Sequence, residues 1–361
     1  QRPPLSKAYL LGEMEEERLY LRPAAFYEDQ NITLRLGTRV TEVDTQAQTV
    51  TLGDETLQYD HLAFTTGSTP RTLPTHLGGE LKGVFTVRDL SDVDAMAPYV
   101  TEGKRAVVIG GGYIGLEAAA VARKRGVEVT LVEASERILQ RVAAPETSDF
   151  FRKLHEDHGV TIREGVGFET FTGDEHVNGA VLTDGTEIDI DFAIVGIGIT
   201  PAARIAELAG IEIENGIKTD AQGRCSALNI WAAGDCASFP LDGAQMRLES
   251  VGNAIDQAEL VAENIMGAGK DYVPKPWFWS DQYDVKLQIA GLNTGYDRVV
   301  SRATDGAVSH WYYRGAHLLA VDAMNDPRNY MIGKRLIEGG KHPAPEVIGD
   351  PETDMKALLR A

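Results

Sequence analysis

The sequence predicts an α/β fold organised around a dinucleotide-binding unit, and three observations predict it. A buried apolar run, Ala106–Ile109, leads directly into Gly110-Gly-Gly-Tyr-Ile-Gly115, an Ala-rich segment reaching Arg125, and a second apolar run closed by Glu133. Further apolar runs end in glycine or Gly-Asp: Asp60–Gly67, Phe192–Gly198 and Asn229–Asp235. From Pro274 onward the pattern changes to several strands followed by a polar, Pro-containing tail.

The first observation is the strongest. Four apolar residues without polar interruption read as a strand buried on both faces. Gly110, Gly112 and Gly115 form GxGxxG, in which one glycine makes the tight turn, one lets a pyrophosphate approach the backbone, and one lets helix and strand pack closely. The helix that begins at Tyr113 and Ile114 offers free N–H groups and a positive dipole end to phosphates. Glu133 ends the second strand 23 residues after Gly110, where a carboxylate accepts hydrogen bonds from ribose hydroxyls and repels a 2′-phosphate. NADH is therefore expected over NADPH, with nearby Arg137 as the one residue pointing the other way. A lone GxGxxG says little; strand, glycines, helix, strand and acid in order are specific.

The other elements follow along the chain. Thr38–Asp44 and Thr49–Leu52 alternate apolar and polar residues and read as hairpin arms, with Gly53-Asp54 at a turn. Asp60–Gly67 reads as a strand stopped by Pro70. Val142–His158 reads as a helix, Val160–Arg163 as a strand, and Asp184-Gly185 as a hairpin turn. Phe192–Val195 is a buried strand running into Gly196-Ile-Gly198. Asn229–Asp235 is a strand that delivers Asp235 to its end, and Ser250–Met266 reads as a long helix. Trp277 and Trp279 are read on one strand, and one of them is expected in the core.

Composition narrows the function class. At 361 residues and 43% hydrophobic, the chain is long enough for two or three domains with substantial cores. No apolar run approaches the roughly 18 residues of a membrane span. The net charge of −19 argues against nucleic acid or anionic lipid as a partner. With two cysteines and no secretory or transit-type start, a cytoplasmic location is expected. No metal-ligand spacing, Ser–His–Asp order or kinase motif competes. His155 and His158, three apart on a helix, read as a solvated face.

The order of these elements resembles the pyridine nucleotide–disulfide oxidoreductase superfamily and, within it, the FAD-dependent, NADH-utilising ferredoxin reductases of the putidaredoxin reductase type. The resemblance covers essentially the whole chain and rests on Arg2–Lys7, Thr65-Thr-Gly67, Gly110–Glu117, Gly234-Asp235, Glu249-Ser-Val251 and Trp277–Gln282. It implies two Rossmann-like dinucleotide-binding domains, the FAD one discontinuous, plus a C-terminal α+β domain. The spans would be 1–75 and 196–273 for FAD, 76–195 for NADH and 274–361 for the C-terminal domain. It implies FAD contacts at Lys7, Val40, Arg88, Asp235 and Val251, further cofactor contacts at Thr66, Gly67, Gly198 and Gly234, and a Lys7–Glu117 pair near the reactive edge of the flavin, with Trp279 beside it. Superfamily members open with a strand and a first GxGxxG that binds the FAD pyrophosphate. The expectation is that a segment of about 40 residues carrying these precedes Gln1 in the native protein.

Disulfide reductases need a CxxC or CxxxxC pair near the flavin; Cys225 and Cys236 are eleven apart and fit neither. Electrons are then expected to pass directly to an external acceptor, a small acidic iron–sulfur protein: a 2Fe–2S ferredoxin feeding a cytochrome P450 or ring-hydroxylating oxygenase, or a rubredoxin. Direct NADH oxidation by oxygen or quinone and the apoptosis-inducing-factor type of NADH-responsive interaction protein are the alternatives. Since both partners would be acidic, docking needs a local basic patch, for which Arg314, Arg328, Lys334, Arg335 and Lys341 are candidates. A monomer or weak dimer is expected.

Overall fold

The computed structural model describes residues 1–304 and 306–360. They form two compact units, one of Gln1–Leu21, Pro70–Gly198 and Trp279–Ala361, the other of Arg22–Thr69 and Ile199–Phe278.

The first unit contains a five-stranded, wholly parallel sheet in the order Val84–Phe85, Phe192–Val195, Arg105–Ile109, Glu128–Glu133 and Thr161–Glu164. Val107, Val108, Leu131 and Ala193 have no exposed surface, which is why these strands read as unbroken apolar runs. The helix Tyr113–Lys124 follows the central strand and turns Leu116 and Ala118–Ala122 inward. Its alanines keep the helix close to the sheet. The next helix, Pro145–Asp157, begins three residues later than its apolar pattern suggests. Pro145 cannot donate a backbone hydrogen bond and suits the first helical position, while Val142 and Ala143 instead bond back to the Leu139 carbonyl in a turn. A three-stranded antiparallel sheet, Phe168–Thr172, Gly179–Leu182 and Glu187–Asp189, completes this part; its second turn is at Asp184-Gly185.

The C-terminal part of the same unit is a five-stranded antiparallel sheet, ordered Trp277–Gln282, Val285–Gly291, His317–Met324, Ala307–Arg314 and Arg298–Thr304. The helix Pro327–Glu338 covers it over a core of Trp311, Tyr313, Val321, Ile332 and Leu336. Its other face meets the helix Pro145–Asp157 through polar groups. The Ala144 N–H donates to the Tyr312 hydroxyl at 3.0 Å, and Tyr312 and Thr147 (2.8 Å) both donate to Asp322 Oδ2. Among the described residues Asp322 has no basic partner and its Oδ1 is unbonded, so burial pushes its carboxyl up to about 6.

In the second unit Val40–Asp44, Thr49–Leu52 and Glu55–Gln58 form an antiparallel meander. Leu62–Phe64 and Ile230–Ala232 pair in parallel, register Phe64 with Ala232. Phe64, Ile217, Ile230, Ala232, Cys236 and Ala237 form the core. The helix Val251–Ile265 packs beside the 230–232 strand, and Ser250 caps it by accepting the Asn253 N–H at 3.2 Å.

Asp322 makes a pH prediction. Its raised value means that the folded chain holds a proton the unfolded chain releases at lower pH. Its share of stability is therefore complete at low pH and is lost as pH rises through about 6. Asp322→Asn should remove a drop of about 3 kcal/mol between roughly pH 4 and pH 7. Urea unfolding of both proteins at several pH values checks this; parallel pH profiles would refute it.

Candidate functional site: a nucleotide cradle and a buried Lys–Glu pair

In the first unit, each glycine of the loop after Arg105–Ile109 has its own steric reason. A Cβ on Gly110, whose φ is +107°, would lie 2.3 Å from the Gly196 carbonyl oxygen, and one on Gly115 would lie 2.0 Å from the Gly110 carbonyl oxygen. A Cβ on Gly112 would meet nothing within 4 Å. Two glycines thus close the turn and seat the helix, and the third leaves open space at the helix start, where a pyrophosphate fits. Ile114 is exposed beside it, whereas the Tyr113 hydroxyl is enclosed, with burial and the Asp322 carboxylate holding the phenol well above its ordinary range.

Glu133 is fastened to the same loop. Its Oε2 accepts the Gly111 N–H at 2.7 Å and its Oε1 accepts the Ser135 N–H at 2.8 Å. Each carboxylate oxygen keeps a second lone pair for a ribose hydroxyl. Arg137 is turned elsewhere: its guanidinium donates to Ser148 Oγ and, at 2.9 Å, to the Ala143 carbonyl. The one basic residue that pointed to a 2′-phosphate is occupied by its own fold. Gly111 was not singled out in the sequence, yet a Cβ there would lie 2.6 Å from Ile138.

Lys7 and Glu117 come together. The turn Leu5–Tyr9 packs on the helix Tyr113–Lys124, anchored by buried Leu5 and Leu10, by an Arg2–Asp89 ion pair at 3.0 Å and by a Tyr9–Asp94 hydrogen bond at 2.8 Å. Lys7 Nζ lies 3.0 Å from Glu117 Oε1, with side chains 16% and 8% exposed, and 3.8 Å from Asp281. Ser280 Oγ donates to the same Glu117 oxygen at 2.7 Å. Burial raises the Glu117 carboxyl, and Lys7 and Ser280 work against it. Trp279 presents its ring 5.9 Å from Lys7 Nζ. Arg88 is half-buried just before the helix Leu90–Met96, its backbone N–H bonded to Asp92 at 2.9 Å. Gly198 follows the Phe192–Val195 strand with φ +98° and open space around it.

Ser280, Gln282 and His155 are functional neighbours that sequence reasoning missed. Ser280 and Gln282 share one face of a strand by period-two alternation, which was a usable signal. For His155 there was none, and the reading of 155 and 158 as a solvated pair is corrected: His155 has no exposed surface, while His158 is exposed. Tyr283 and Gln282 from the C-terminal sheet cover it.

In the second unit, Gly234 (φ +78°) and Asp235 turn at the end of the Ile230–Ala232 strand, and Ser68 Oγ donates to Asp235 Oδ2 at 3.0 Å. The Gly234 N–H is held by Gln257 of the following helix at 2.8 Å. Gly67 (φ +70°) precedes Ser68, and Thr66 bonds the Ala202 carbonyl at 2.6 Å. Val251, half-exposed, opens the helix. A carboxylate beside a capped helix start suits a polyhydroxyl, phosphate-linked ligand such as FAD. Val40 opens the meander and packs against the Phe64 core. Trp277 covers Gly252, where a Cβ would lie 2.4 Å from the indole nitrogen. Cys225 and Cys236 are unpaired, and burial pushes the Cys225 thiol up to about 12, so Cys225 is not a poised redox thiolate.

Of the five candidate docking cations, three are engaged: Arg328 with Asp354 at 3.8 Å, Lys334 with Glu338, and Lys341 with the Leu359 carbonyl at 2.7 Å. Arg314 and Arg335 are exposed. No helix among the described residues is long and apolar enough to cross a membrane.

Comparison with known proteins agrees with this geometry. Residues 1–258 match the family model of pyridine nucleotide-disulphide oxidoreductases, and residues 277–359 match that of the reductase C-terminal domain. Rhodocoxin reductase of Rhodococcus erythropolis is 40% identical over 99% of this chain and 85% of its own length. Putidaredoxin reductase CamA of Pseudomonas putida is 40% identical over 99% of this chain and 87% of its own. The structure superposes on the reductase of a covalent putidaredoxin reductase–putidaredoxin complex with a TM-score of 0.95 and 38% identity, covering 100% of this chain and 89% of that one. The chain belongs to the pyridine nucleotide-disulphide oxidoreductase family, in its branch of putidaredoxin-reductase-type ferredoxin reductases.

Proposed function

We propose that this chain oxidises NADH and, through FAD, reduces a small acidic iron–sulfur carrier, a 2Fe–2S ferredoxin that serves a cytochrome P450 or a ring-hydroxylating oxygenase. The observation that carries the reading is the buried Lys7–Glu117 pair beside the nucleotide cradle, in a chain whose two cysteines are not paired with each other. Bound FAD supplies the conversion between the two-electron chemistry of NADH and the one-electron chemistry of an iron–sulfur centre.

The chain's own residues bind, orient and balance charge. Gly110, Gly112 and Gly115, with the N–H groups at Tyr113 and Ile114, are proposed to seat the NADH pyrophosphate. Glu133, already oriented by Gly111 and Ser135, accepts from the adenosine ribose. Lys7 offers a cation where negative charge develops on reduction, Glu117 holds that cation in place, and Trp279 supplies a flat aromatic wall beside it. Arg88 and Gly198 are proposed as further cofactor contacts of the first unit. In the second unit Asp235 and Gly234, with Gly67, Thr66, Val40 and Val251, are proposed to contact FAD. Overall, one NADH reduces two one-electron carriers and releases NAD⁺ and one proton. The unpaired cysteines support a reducing, cytoplasmic setting.

Lys7→Met should lower NADH-to-ferricyanide turnover about a hundredfold while leaving the NADH dissociation constant within a few-fold. Unchanged turnover in the folded variant would overturn the Lys7 assignment. Glu133→Ala should lower kcat/KM for NADH about tenfold and affect NADPH less, because the lost carboxylate bonds served the ribose hydroxyls. Equal losses with both nucleotides would count against it. Arg314→Glu should slow reduction of an acidic ferredoxin roughly tenfold at low salt and leave ferricyanide turnover intact. A parallel loss of both activities would refute a docking role.

A further inference from the structure

From Glu117 a row of polar groups runs through the interior of the first unit. Ser280 Oγ donates to Glu117 Oε1 at 2.7 Å, Gln282 Nε2 donates to Ser280 Oγ at 3.1 Å, and Gln282 Oε1 lies 2.7 Å from His155 Nε2. The Tyr283 hydroxyl stands 3.4 Å from His155 Nδ1, and the Tyr283 ring stacks on exposed His158 at 3.6 Å. Ser280, Gln282 and His155 are all fully buried.

The hydrogens in such a row are not independent. Ser280 has one hydrogen, and giving it to Glu117 leaves Ser280 to accept from the Gln282 amide nitrogen. That orientation turns the Gln282 oxygen to His155, which must then carry its hydrogen on Nε2 and accept on Nδ1. Every bond is satisfied, and Glu117 is an ionised acceptor. The reversed row is also complete: a protonated Glu117 donates to Ser280, Gln282 is flipped, and His155 carries its hydrogen on Nδ1. Each polarity of the row thus belongs to one protonation state of Glu117, and only the first keeps the ion pair with Lys7.

We propose that His155 is a positioning residue: as the neutral Nε2–H tautomer it fixes the polarity of the row, so that Ser280 donates to Glu117 and the Lys7–Glu117 ion pair is kept. This deepens the reading of Lys7–Glu117 above and rests on it. The charged and titratable groups around the two ends are few. Lys7 and Asp281 face Glu117; His158 and Tyr283 surround His155, with Arg123 acting on Tyr283. Burial lowers the His155 imidazole to about 4, which keeps it neutral at working pH and makes the tautomer, not a charge, the variable.

The test is infrared titration of the full chain between about pH 5 and about pH 9, following the carboxylic-acid carbonyl band that disappears in Glu117→Gln. His155→Phe and Ser280→Ala should hold that band to about one pH unit higher than the parent, a roughly tenfold change in the ionised fraction. His155→Gln, whose amide places a donor near the Nε2 position, should restore the parent titration. If His155→Phe does not fold, Ser280→Ala decides, since it deletes a single buried hydroxyl. Parent-like titration in Ser280→Ala and in any folded His155→Phe would overturn the proposal, and so would His155→Gln displaced as far as His155→Phe. The NADH-to-ferricyanide rate of Glu117→Gln separates the two layers. An unchanged rate sinks the working role of the Lys7–Glu117 pair, while the band shifts still decide the role of His155.

Discussion

The structure of the first unit depends on keeping a carboxylate charged where there is almost no water. Glu117 sits on the inner face of the nucleotide helix, and a charge placed there without partners would cost several kcal/mol. Its partners come from three separate stretches: Lys7 from the N-terminal turn, Ser280 from the first strand of the C-terminal sheet, and its own helix, which fixes its direction. Removing one partner from a buried pair typically costs about 3–5 kcal/mol, because the other charge is left uncompensated. The same bonds that make the site chemically useful therefore also tie the N-terminal turn and the C-terminal sheet to the nucleotide-binding part.

The nucleotide loop shows the same economy on a smaller scale. Glu133 holds Gly111 and Ser135 before any ligand arrives, so the carboxylate proposed to read the ribose also shapes the loop proposed to receive the phosphates. Arg137 lies close in sequence and yet is removed from the site by the Ala143 carbonyl and Ser148. The proposed preference for NADH thus rests on which side chains the fold has already committed.

What was legible in the sequence was mostly local. The strand, glycine loop, helix and terminal acid from Ala106 to Glu133 lie within one supersecondary unit, so chain order alone carries their geometry. The 53–54 and 184–185 turns were legible for the same reason. The helix at Pro145 began later than its apolar periodicity implied, because the proline and the turn at Leu139 override a pattern that continues upstream. His155 was misread because its environment is made by Gln282 and Tyr283, residues 127 and 128 positions later, which no helical periodicity encodes. The Lys7–Glu117 pair came only from resemblance to a family; neither residue has a local pattern that announces the other. For the docking cations, composition located positive charge but could not show that Lys334 is spent on Glu338.

The first unit is assembled from three lengths of chain, the last beginning at Trp279. During synthesis the nucleotide sheet is complete once Val195 has emerged, but Ser280 lies 163 residues beyond Glu117. Until that strand leaves the ribosome, Glu117 lacks its Ser280 bond and His155 lacks the cover of Gln282 and Tyr283. The order of translation thus separates formation of the nucleotide loop from closure around the carboxylate, and the late, long-range step is the one exposed to misassembly.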